Sequence, residues 1–366
     1  MYANTVPNLF YNWIISLPMM VSFFWAIFFI VRFHRGNDEP RVMVTILLFY
    51  IASTILYTDH WLYFSDHPSF IGEWSYMIVN LCVYPIYFAY LRALTRTKIT
   101  LEVPLLLLPA ALIALFFPLN THFGWIASDI VLLCTRACFA FQVIWVWVRG
   151  FRLLQSTQQR LDNTYTDDRS HLLNPTRLLL ILIGITAVVS TLLNILGRER
   201  FDGSLLVGIP AVIMSVLLFS LGYIAAHTIL PKETVAQEEE TVVDRATTAE
   251  TDELFIKITT ALREQRLFTN PNLTIQDLAT AVGSNRTYVS NCINRRTGFS
   301  FSRYVAQYRV EHAQTILIDP QYTSDHEAIA DAIALSGFAS DQTFYRIFKE
   351  VTGYTPLQFR QLNLQK

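Results

Sequence analysis

The distribution of apolar residues constrains this chain more than any other feature of its sequence. Long apolar runs crowd the stretch before Pro231, whereas the stretch after it has the composition of an ordinary soluble domain. Apolar residues make up 52% of the chain, and the mean hydropathy of +0.34 is high for a wholly soluble protein. A run of about 18–20 apolar residues can cross the hydrocarbon core of a membrane as a helix. The sequence therefore predicts a membrane domain over residues 1–230.

Seven apolar runs are candidate transmembrane helices. They are Trp13–Val31, Val42–Tyr57, Trp74–Leu91, Val103–Leu119, Trp125–Val148, Leu178–Leu196 and Leu205–Ala226. The second and fourth are the shortest of the seven. We therefore expect a bundle of about seven transmembrane helices.

The loops between these runs differ in their basic residues. Loops one, three and five together carry 11 Lys and Arg, whereas loops two, four and six carry only Arg198 and Arg200. Loops that stay in the cytoplasm carry an excess of Lys and Arg. This alternation predicts a multi-pass protein of the inner (cytoplasmic) membrane, with its N-terminus outside and everything after His227 in the cytoplasm.

Two ionisable residues lie at membrane depth in the fifth run. Arg136 is near its middle, and Asp129 is two turns earlier on the same face. A charge at that depth is costly unless it faces the bundle interior or water. The two residues either lock neighbouring helices together or belong to a site that senses a signal. His60 and His67 in the outward-facing second loop are further candidates for sensing a polar ligand, although such residues are commonly just solvated.

No motif in the sequence indicates an enzyme. It has no nucleophile elbow, no zinc-protease motif and no phosphate-binding glycine loop. The four cysteines, Cys82, Cys134, Cys138 and Cys292, have neither zinc-like nor disulfide-framework spacing. We therefore expect no metal, no cofactor and no catalytic residue.

A short acidic segment separates the apolar stretch from the rest. Residues 231–252 contain two basic and seven acidic side chains and no aromatic residue, so they cannot bury a core. They predict a flexible or partly helical linker. Residues 253–366 have 12 basic and 10 acidic side chains, a balance that does not by itself identify a nucleic-acid-binding protein.

From Glu253 the pattern becomes a series of short amphipathic helices. Thr274 caps a helix from Ile275 to Val282 that stops at Gly283, and a second helix then runs from Asn285 to about Arg296. Two helices joined by a short glycine turn are typical of the helix-turn-helix unit.

The same arrangement recurs further along the chain. A helix ending at Leu335 leads to Gly337, and another follows from Ser340 to Val351. A joining helix from about Ser300 to Leu317 would span roughly 25–27 Å at 1.5 Å per residue. It can hold two recognition helices about one turn of DNA apart.

The second helix of each unit has a polar face whose side chains suit base edges and phosphates. In the first unit these side chains are Arg286, Thr287, Ser290 and Asn291, with Arg296 as a phosphate contact near the helix end. In the second unit they are Gln342, Thr343, Arg346 and Lys349.

A sequence motif links the second unit to a known family. The motif consists of Gly337-Phe338, Thr343-Phe344-Tyr345-Arg346-Ile347-Phe348-Lys349-Glu350, Thr352-Gly353-Tyr354-Thr355-Pro356 and Arg360, with Tyr308-Arg309-Val310 in the joining helix. About the last 110 residues thus resemble the DNA-binding domain of AraC/XylS-type regulators. In one departure from that family, Ala332-Ile333 stand in reversed order before Gly337, which we expect to shift the packing beneath the second turn.

The resemblance implies a domain that places two recognition helices in successive major grooves. By the same resemblance Thr287, Ser290 and Asn291 match base-reading positions in the first unit, and Gln342, Thr343 and Arg346 match them in the second. Its partners would be double-stranded promoter DNA and RNA polymerase.

Together these features predict an all-α chain with a bundle of about seven transmembrane helices and a C-terminal double helix-turn-helix domain. The expected function is that of a membrane-embedded one-component transcription regulator, which responds to a signal ligand or partner sensed within the lipid bilayer. The alternative is a transporter-like membrane protein with an attached regulatory DNA-binding domain.

Overall fold

A computed structural model of the chain describes residues 7–35, 39–64, 72–123, 128–166, 170–196, 205–228 and 248–364. Within these ranges every named element is a helix, which confirms the predicted all-α class. The chain forms two compact units. The first contains residues 1–155 and 174–231, and the second contains residues 156–173 and 232–366.

Seven long helices precede the acidic segment, and each overlaps one of the predicted apolar runs. They are α1 (Pro7–His34), α2 (Pro40–Phe64), α3 (Gly72–Leu94), α4 (Glu102–Phe123), α5 (Ser128–Thr164), α6 (Ser170–Leu196) and α7 (Leu205–His227). The last residues of α5 and the first residues of α6 belong to the second unit. From the sequence we had predicted that these residues belong to the fifth loop of the membrane domain.

Among the described residues, five stretches are long and apolar enough to cross a membrane. They are Phe10–His34, Pro40–Leu62, Tyr76–Leu94, Leu133–Thr164 and Gly208–His227. The corresponding apolar stretches of α4 and α6, Glu102–Phe116 and Leu173–Val189, are shorter. Large apolar side chains, including Phe23, Leu105 and Leu133, are exposed on the outside of these helices, a pattern that suits lipid better than water. The number of seven spans stays a prediction.

Charged contacts bring several helix ends to one end of the first unit. They join Arg92 to Glu102, Arg149 to Glu102, Arg96 to Glu39, and Arg32 to the main-chain carbonyl of Ala226. These residues come from loops one, three and five and from the last turn of α7. These basic residues and the C-terminal end of α7 therefore lie together at one end of the first unit, and the assignment of that end to the cytoplasm stays a prediction.

Close packing of α1 on α7 depends on a glycine. A Cβ atom added to Gly222 would lie 2.2 Å from the Trp25 ring, so only glycine lets the indole approach the α7 backbone. Trp25 stacks on Phe29, and Phe29 stacks on Tyr50 of α2. The Tyr50 hydroxyl then donates a hydrogen bond of 2.7 Å to the Leu218 carbonyl of α7.

The second unit contains the helices predicted for the soluble domain. They are α8 (Thr248–Glu264), α9 (Ile275–Ala281), α10 (Arg286–Thr297), α11 (Phe301–Leu317), α12 (Asp325–Leu335), α13 (Asp341–Thr352) and α14 (Pro356–Leu364), with a 3-10 turn at Leu267–Thr269. The sequence did not predict α14. Of the predicted linker, residues 231–247 lie outside the described residues, and α8 begins within the remainder. The predicted domain boundaries stay predictions.

Two apolar cores share α11. Residues of α11 up to Tyr308 pack with α8, α9 and α10, whereas residues from Val310 onward pack with α12, α13 and α14. Ala332 is fully buried in the second core and Ile333 packs against it, so the reversed pair places its small residue inside. One helix thus connects both helix-turn-helix units, with Arg309 at the boundary between the cores.

The turn before α13 requires glycine because its backbone is left-handed and because a Cβ there would collide with a neighbouring segment. A matched pair of variants separates these two effects. Gly283 and Gly337 both have left-handed backbone, with φ of 68° and 78°, but only at Gly337 would a Cβ collide with backbone, 2.4 Å from the Phe268 carbonyl oxygen. Gly283→Ala should lower the free energy of unfolding by about 1–2 kcal/mol through backbone strain.

Gly337→Ala should cost about 2–5 kcal/mol, because the collision adds to the same strain. Hydrogen exchange in the full-length chain measures both losses, from the α9 and α10 amides in Gly283→Ala and from the α12 and α13 amides in Gly337→Ala. Equal losses in the two variants would contradict the proposed close approach.

Candidate nucleic-acid interface

The helices α10 and α13 are built to the same plan. Each is 12 residues long, and each begins at a residue whose side chain accepts a hydrogen bond from a main-chain N–H of the first turn. Asn285 caps α10 through the Tyr288 N–H at 2.9 Å, and Ser340 caps α13 through the Thr343 N–H at 3.3 Å. Each helix ends at a left-handed glycine. These signals fix where both helices begin and end.

The buried side chains of α10 and α13 occupy equivalent positions. Val289 and Ile293 of α10 are fully buried, and so are Phe344 and Phe348 of α13. Because four residues are about one turn of helix, each pair lies on one face. The opposite face of each helix is left for solvent or a ligand.

All five residues predicted to contact DNA in the first unit lie on α10. Thr287 and Arg296 are exposed, whereas Arg286, Ser290 and Asn291 are half-buried. Arg296 forms an ion pair with Asp252 of α8. The structure therefore brings these residues together on one helix, and their contact with DNA stays a prediction.

The four predicted residues of the second unit lie on α13. Gln342, Arg346 and Lys349 are exposed, and Thr343 is half-buried beside the Ser340 cap. Relative to the cap and the terminal glycine, Gln342 and Arg346 occupy the positions of Thr287 and Asn291 of α10. Their contact with DNA likewise stays a prediction.

Glu350 links the exposed face of α13 to the joining helix. Its carboxylate accepts from Arg346 at 3.5 Å and from Arg303, at the start of α11, at 2.9 Å. Ion pairs at exposed positions contribute only about 0–1 kcal/mol. Phosphate or a base edge can therefore replace Glu350 as the partner of either arginine at little cost.

Two buried arginines were not predicted to matter for the geometry of the site. Arg309 is only 2% exposed, and its guanidinium donates to the carbonyls of Phe268 and Asn270 and lies over the Phe338 ring. It thus joins the turn after α8 to the turn before α13. A charged side chain is rarely buried unless it is paired or hydrogen-bonded. In the sequence, Arg309 stood out by its place in the family-like motif and within an otherwise apolar stripe of α11.

Arg360 is the second buried arginine. From α14 it donates to Asp325 at 2.8 Å and to the carbonyls of Leu317 and Tyr322. These contacts tie the last helix to the end of α11 and the start of α12. The buried Arg360 guanidinium therefore stabilises the arrangement of the helices that pack around α13, the second recognition helix.

Cys292 lies on the inner side of α10. Its thiol donates to the Thr251 carbonyl of α8 at 3.4 Å. Burial raises the pKa of the Cys292 thiol. The side chain therefore stays protonated at neutral pH and packs α8 against α10.

The four candidate sensing residues are only partly described. Arg136 is half-buried on α5, while the side chain of Asp129 and the whole of His67 lie outside the described residues. The second loop was predicted to begin at Thr58, but α2 continues to Phe64, and its last four residues, Trp61 to Phe64, are again apolar or aromatic. His60 is therefore helical and half-buried, with its ring stacked 6.5 Å from that of Tyr76.

Comparisons with known proteins concern only the C-terminal part of the chain. A family model described as a helix-turn-helix domain matches residues 278–362. The melibiose operon regulatory protein of Escherichia coli (strain K12) is 30% identical over 94 residues, which are 26% of this chain and 30% of that protein. No solved structure matches the chain significantly.

Two further relatives are known only as uncharacterized HTH-type transcriptional regulators. One, from Staphylococcus aureus, is 33% identical over 89 residues, and another, from Bacillus subtilis (strain 168), is 32% identical over 89 residues. In each case the match covers 24% of this chain and 11% of the relative. The chain therefore spans less than a third of the length of the relatives described, and the similarity concerns the helix-turn-helix domain alone.

The cap of α13 can be tested against a serine that caps nothing. Ser340 and Ser324 both precede helices, but only the Ser340 side chain forms a capping hydrogen bond. Ser340→Ala should destabilise α13 by about 1 kcal/mol, since one main-chain N–H loses its acceptor. Hydrogen exchange should then accelerate about fivefold in the first turn of α13. Ser324→Ala should change α12 much less, and similar effects in both would contradict the assigned cap.

Proposed function

We propose that this chain, whose C-terminal domain is an AraC-type helix-turn-helix domain, is a membrane-embedded one-component transcription regulator. One observation carries the proposal. Two capped helix-turn-helix units with polar outward faces occur in the same chain as five helices long and apolar enough to span a membrane. A single protein can then sense a signal in the bilayer and bind promoter DNA.

In this function α10 and α13 enter successive major grooves of one duplex. The 17 residues of α11 correspond to roughly 25 Å at 1.5 Å per residue, which suits recognition helices about one DNA turn apart. Arg346 reads a base edge, because a guanidinium can donate two hydrogen bonds to guanine. Arg296, beyond the base-reading face, binds phosphate. RNA polymerase is the further partner that this function implies.

The membrane topology proposed here has support from two observations. The basic loop residues meet at one end of the first unit, around Glu102 and Glu39. Thr166, from the fifth predicted loop, hydrogen-bonds within the unit that contains the helix-turn-helix domain. Both observations suit a cytoplasmic fifth loop and a cytoplasmic C-terminal domain. Arg136, Asp129, His60 and His67 are the candidate residues for sensing an unknown signal ligand or membrane partner.

The two classes of arginine should respond differently to substitution. Arg346→Ala should weaken binding at the preferred duplex by about 1–3 kcal/mol and relax base preference at one position. Arg296→Ala should weaken all duplexes about equally and reduce the salt dependence, because it removes a phosphate contact. Selection from a random duplex library with the full-length protein, followed by titration at several salt concentrations, measures both. Unchanged affinity and base preference in Arg346→Ala would refute the assigned recognition face.

The proposed topology is testable with reporter fusions along the full chain. Fusions after Arg35, Lys98, Arg160 and Lys232 should report the cytoplasm, and fusions after His67 and Asn120 should report the outside. The physical reason is the retention of basic loops on the cytoplasmic side. An external signal at Lys232 would separate the C-terminal domain from DNA and defeat the proposed function.

A further inference from the structure

A segment from the middle of the chain is built into the helix-turn-helix unit. Tyr165 and Thr166, here called the anchor segment, follow α5 and lie next to the start of α9. Tyr165 forms an antiparallel bridge with Thr274. The Thr166 N–H and hydroxyl both donate to the Leu273 carbonyl, at 3.3 and 2.8 Å, although the two residues are 107 positions apart.

The anchor segment also contacts the joining helix. The Arg309 guanidinium donates to the Thr166 hydroxyl at 2.9 Å and to the Thr166 carbonyl at 3.3 Å. Ser302, two turns earlier on α11, donates to the same carbonyl at 3.5 Å. Thr166 is only 4% exposed and Arg309 only 2%. Hydrogen bonds to a buried charge are among the stronger ones, and their loss leaves polar groups without water as a substitute.

Arg309 lies where the two helix-turn-helix units meet. The same guanidinium donates to the Phe268 and Asn270 carbonyls, and it lies over Phe338 in the turn before α13. The core of the first unit ends at Tyr308, and that of the second begins at Val310. We call this boundary, formed by Arg309 with Phe268, Asn270 and Phe338, the joint. The anchor segment therefore contacts the joint between the units that carry α10 and α13.

We propose that the anchor segment is a regulatory contact that holds this joint in the geometry that binds DNA. Docking of Thr166 on Arg309 strengthens DNA binding, and withdrawal of the segment weakens it. Residues of α5 belong to both units, so the chain connects the anchor segment directly to an apolar helix of the first unit. This inference rests on the proposed function. It supplies the physical link by which a signal in the membrane domain reaches the recognition helices.

Linkage gives the proposal a reciprocal consequence. If docking raises the affinity for DNA by some factor, then bound DNA must favour docking by the same factor. A signal needs only to change the affinity of the anchor segment for its site in order to shift DNA binding.

A disulfide can report docking in the full-length protein. Residues paired across an antiparallel bridge have Cα atoms about 4.5–5.5 Å apart, within the range that a disulfide needs. Tyr165→Cys combined with Thr274→Cys should therefore cross-link in native membranes under mild oxidation, and faster when duplex is added. As a matched control, Tyr165→Cys combined with Thr280→Cys should cross-link far less, because Thr280 is about 9 Å further along α9. Equal cross-linking in both pairs would overturn the docking.

Titration of DNA binding tests the regulatory role. The probe is a duplex selected from a random library by the full-length wild-type protein in lipid nanodiscs. Thr166→Val keeps the shape but removes the hydroxyl shared by Arg309 and Leu273, and it should weaken duplex binding about fivefold or more. Thr166→Ser retains the hydroxyl and should bind like the wild type. The oxidised Tyr165→Cys/Thr274→Cys protein should bind at least as tightly as the wild type.

A second threonine provides the control for side-chain change alone. Within the part of the chain that the structure describes, the Thr164 hydroxyl donates only to the Arg160 carbonyl of its own helix. Thr164→Val should therefore leave duplex affinity unchanged. Unchanged or tighter binding in Thr166→Val, or equal weakening in Thr164→Val, would overturn the regulatory contact. If the wild-type protein selected no duplex, the proposed function would fail and the regulatory role with it, while the cross-link would still show whether the segment docks.

Discussion

The buried guanidinium of Arg309 is the interaction on which the C-terminal half depends. It lies between two cores that share α11 and is almost fully buried, so solvent has little access to replace a lost partner. Removing a charge from water costs several kcal/mol, so the site is stable only while carbonyl and hydroxyl acceptors surround it. Those acceptors come from Phe268, Asn270 and Thr166. One side chain thereby holds the first unit, the second unit and the anchor segment to a common joint.

A second physical constraint governs the first unit, whose helices expose large apolar side chains and form several ion pairs at one end. Glu102 and Glu39 pair with three arginines, which come from loops three and five, at that end. Main-chain groups in hydrocarbon must be satisfied within the segment, which is why spans of this kind are helical. The basic loop residues that suggest a cytoplasmic face therefore also link neighbouring helices at that end through ion pairs.

In our proposal, recognition and regulation use different parts of the second unit. The polar faces of α10 and α13 are open, and their arginines rest in exposed ion pairs with Asp252 and Glu350 that cost little to exchange. The frame behind those faces is fixed by buried hydrogen bonds that are costly to lose. Substitutions on the polar faces of α10 and α13 can accordingly alter base preference without breaking the buried hydrogen bonds behind those helices. In our proposal the regulatory signal acts on the frame, through Thr166.

The sequence by itself determined the two helix-turn-helix units, the cap at Thr274 and which residues lie on the polar faces of α10 and α13. A cap such as Thr274 and a terminal glycine such as Gly298 act within a few residues, so local pattern suffices to locate them. Only the tertiary structure decided that Arg309 is buried and that Thr166 joins a domain 107 residues and more further along the chain. Local sequence favours an exposed arginine and a solvated loop at those positions. The reason for the difference is that burial and docking depend on acceptors supplied by distant segments, which no local pattern contains.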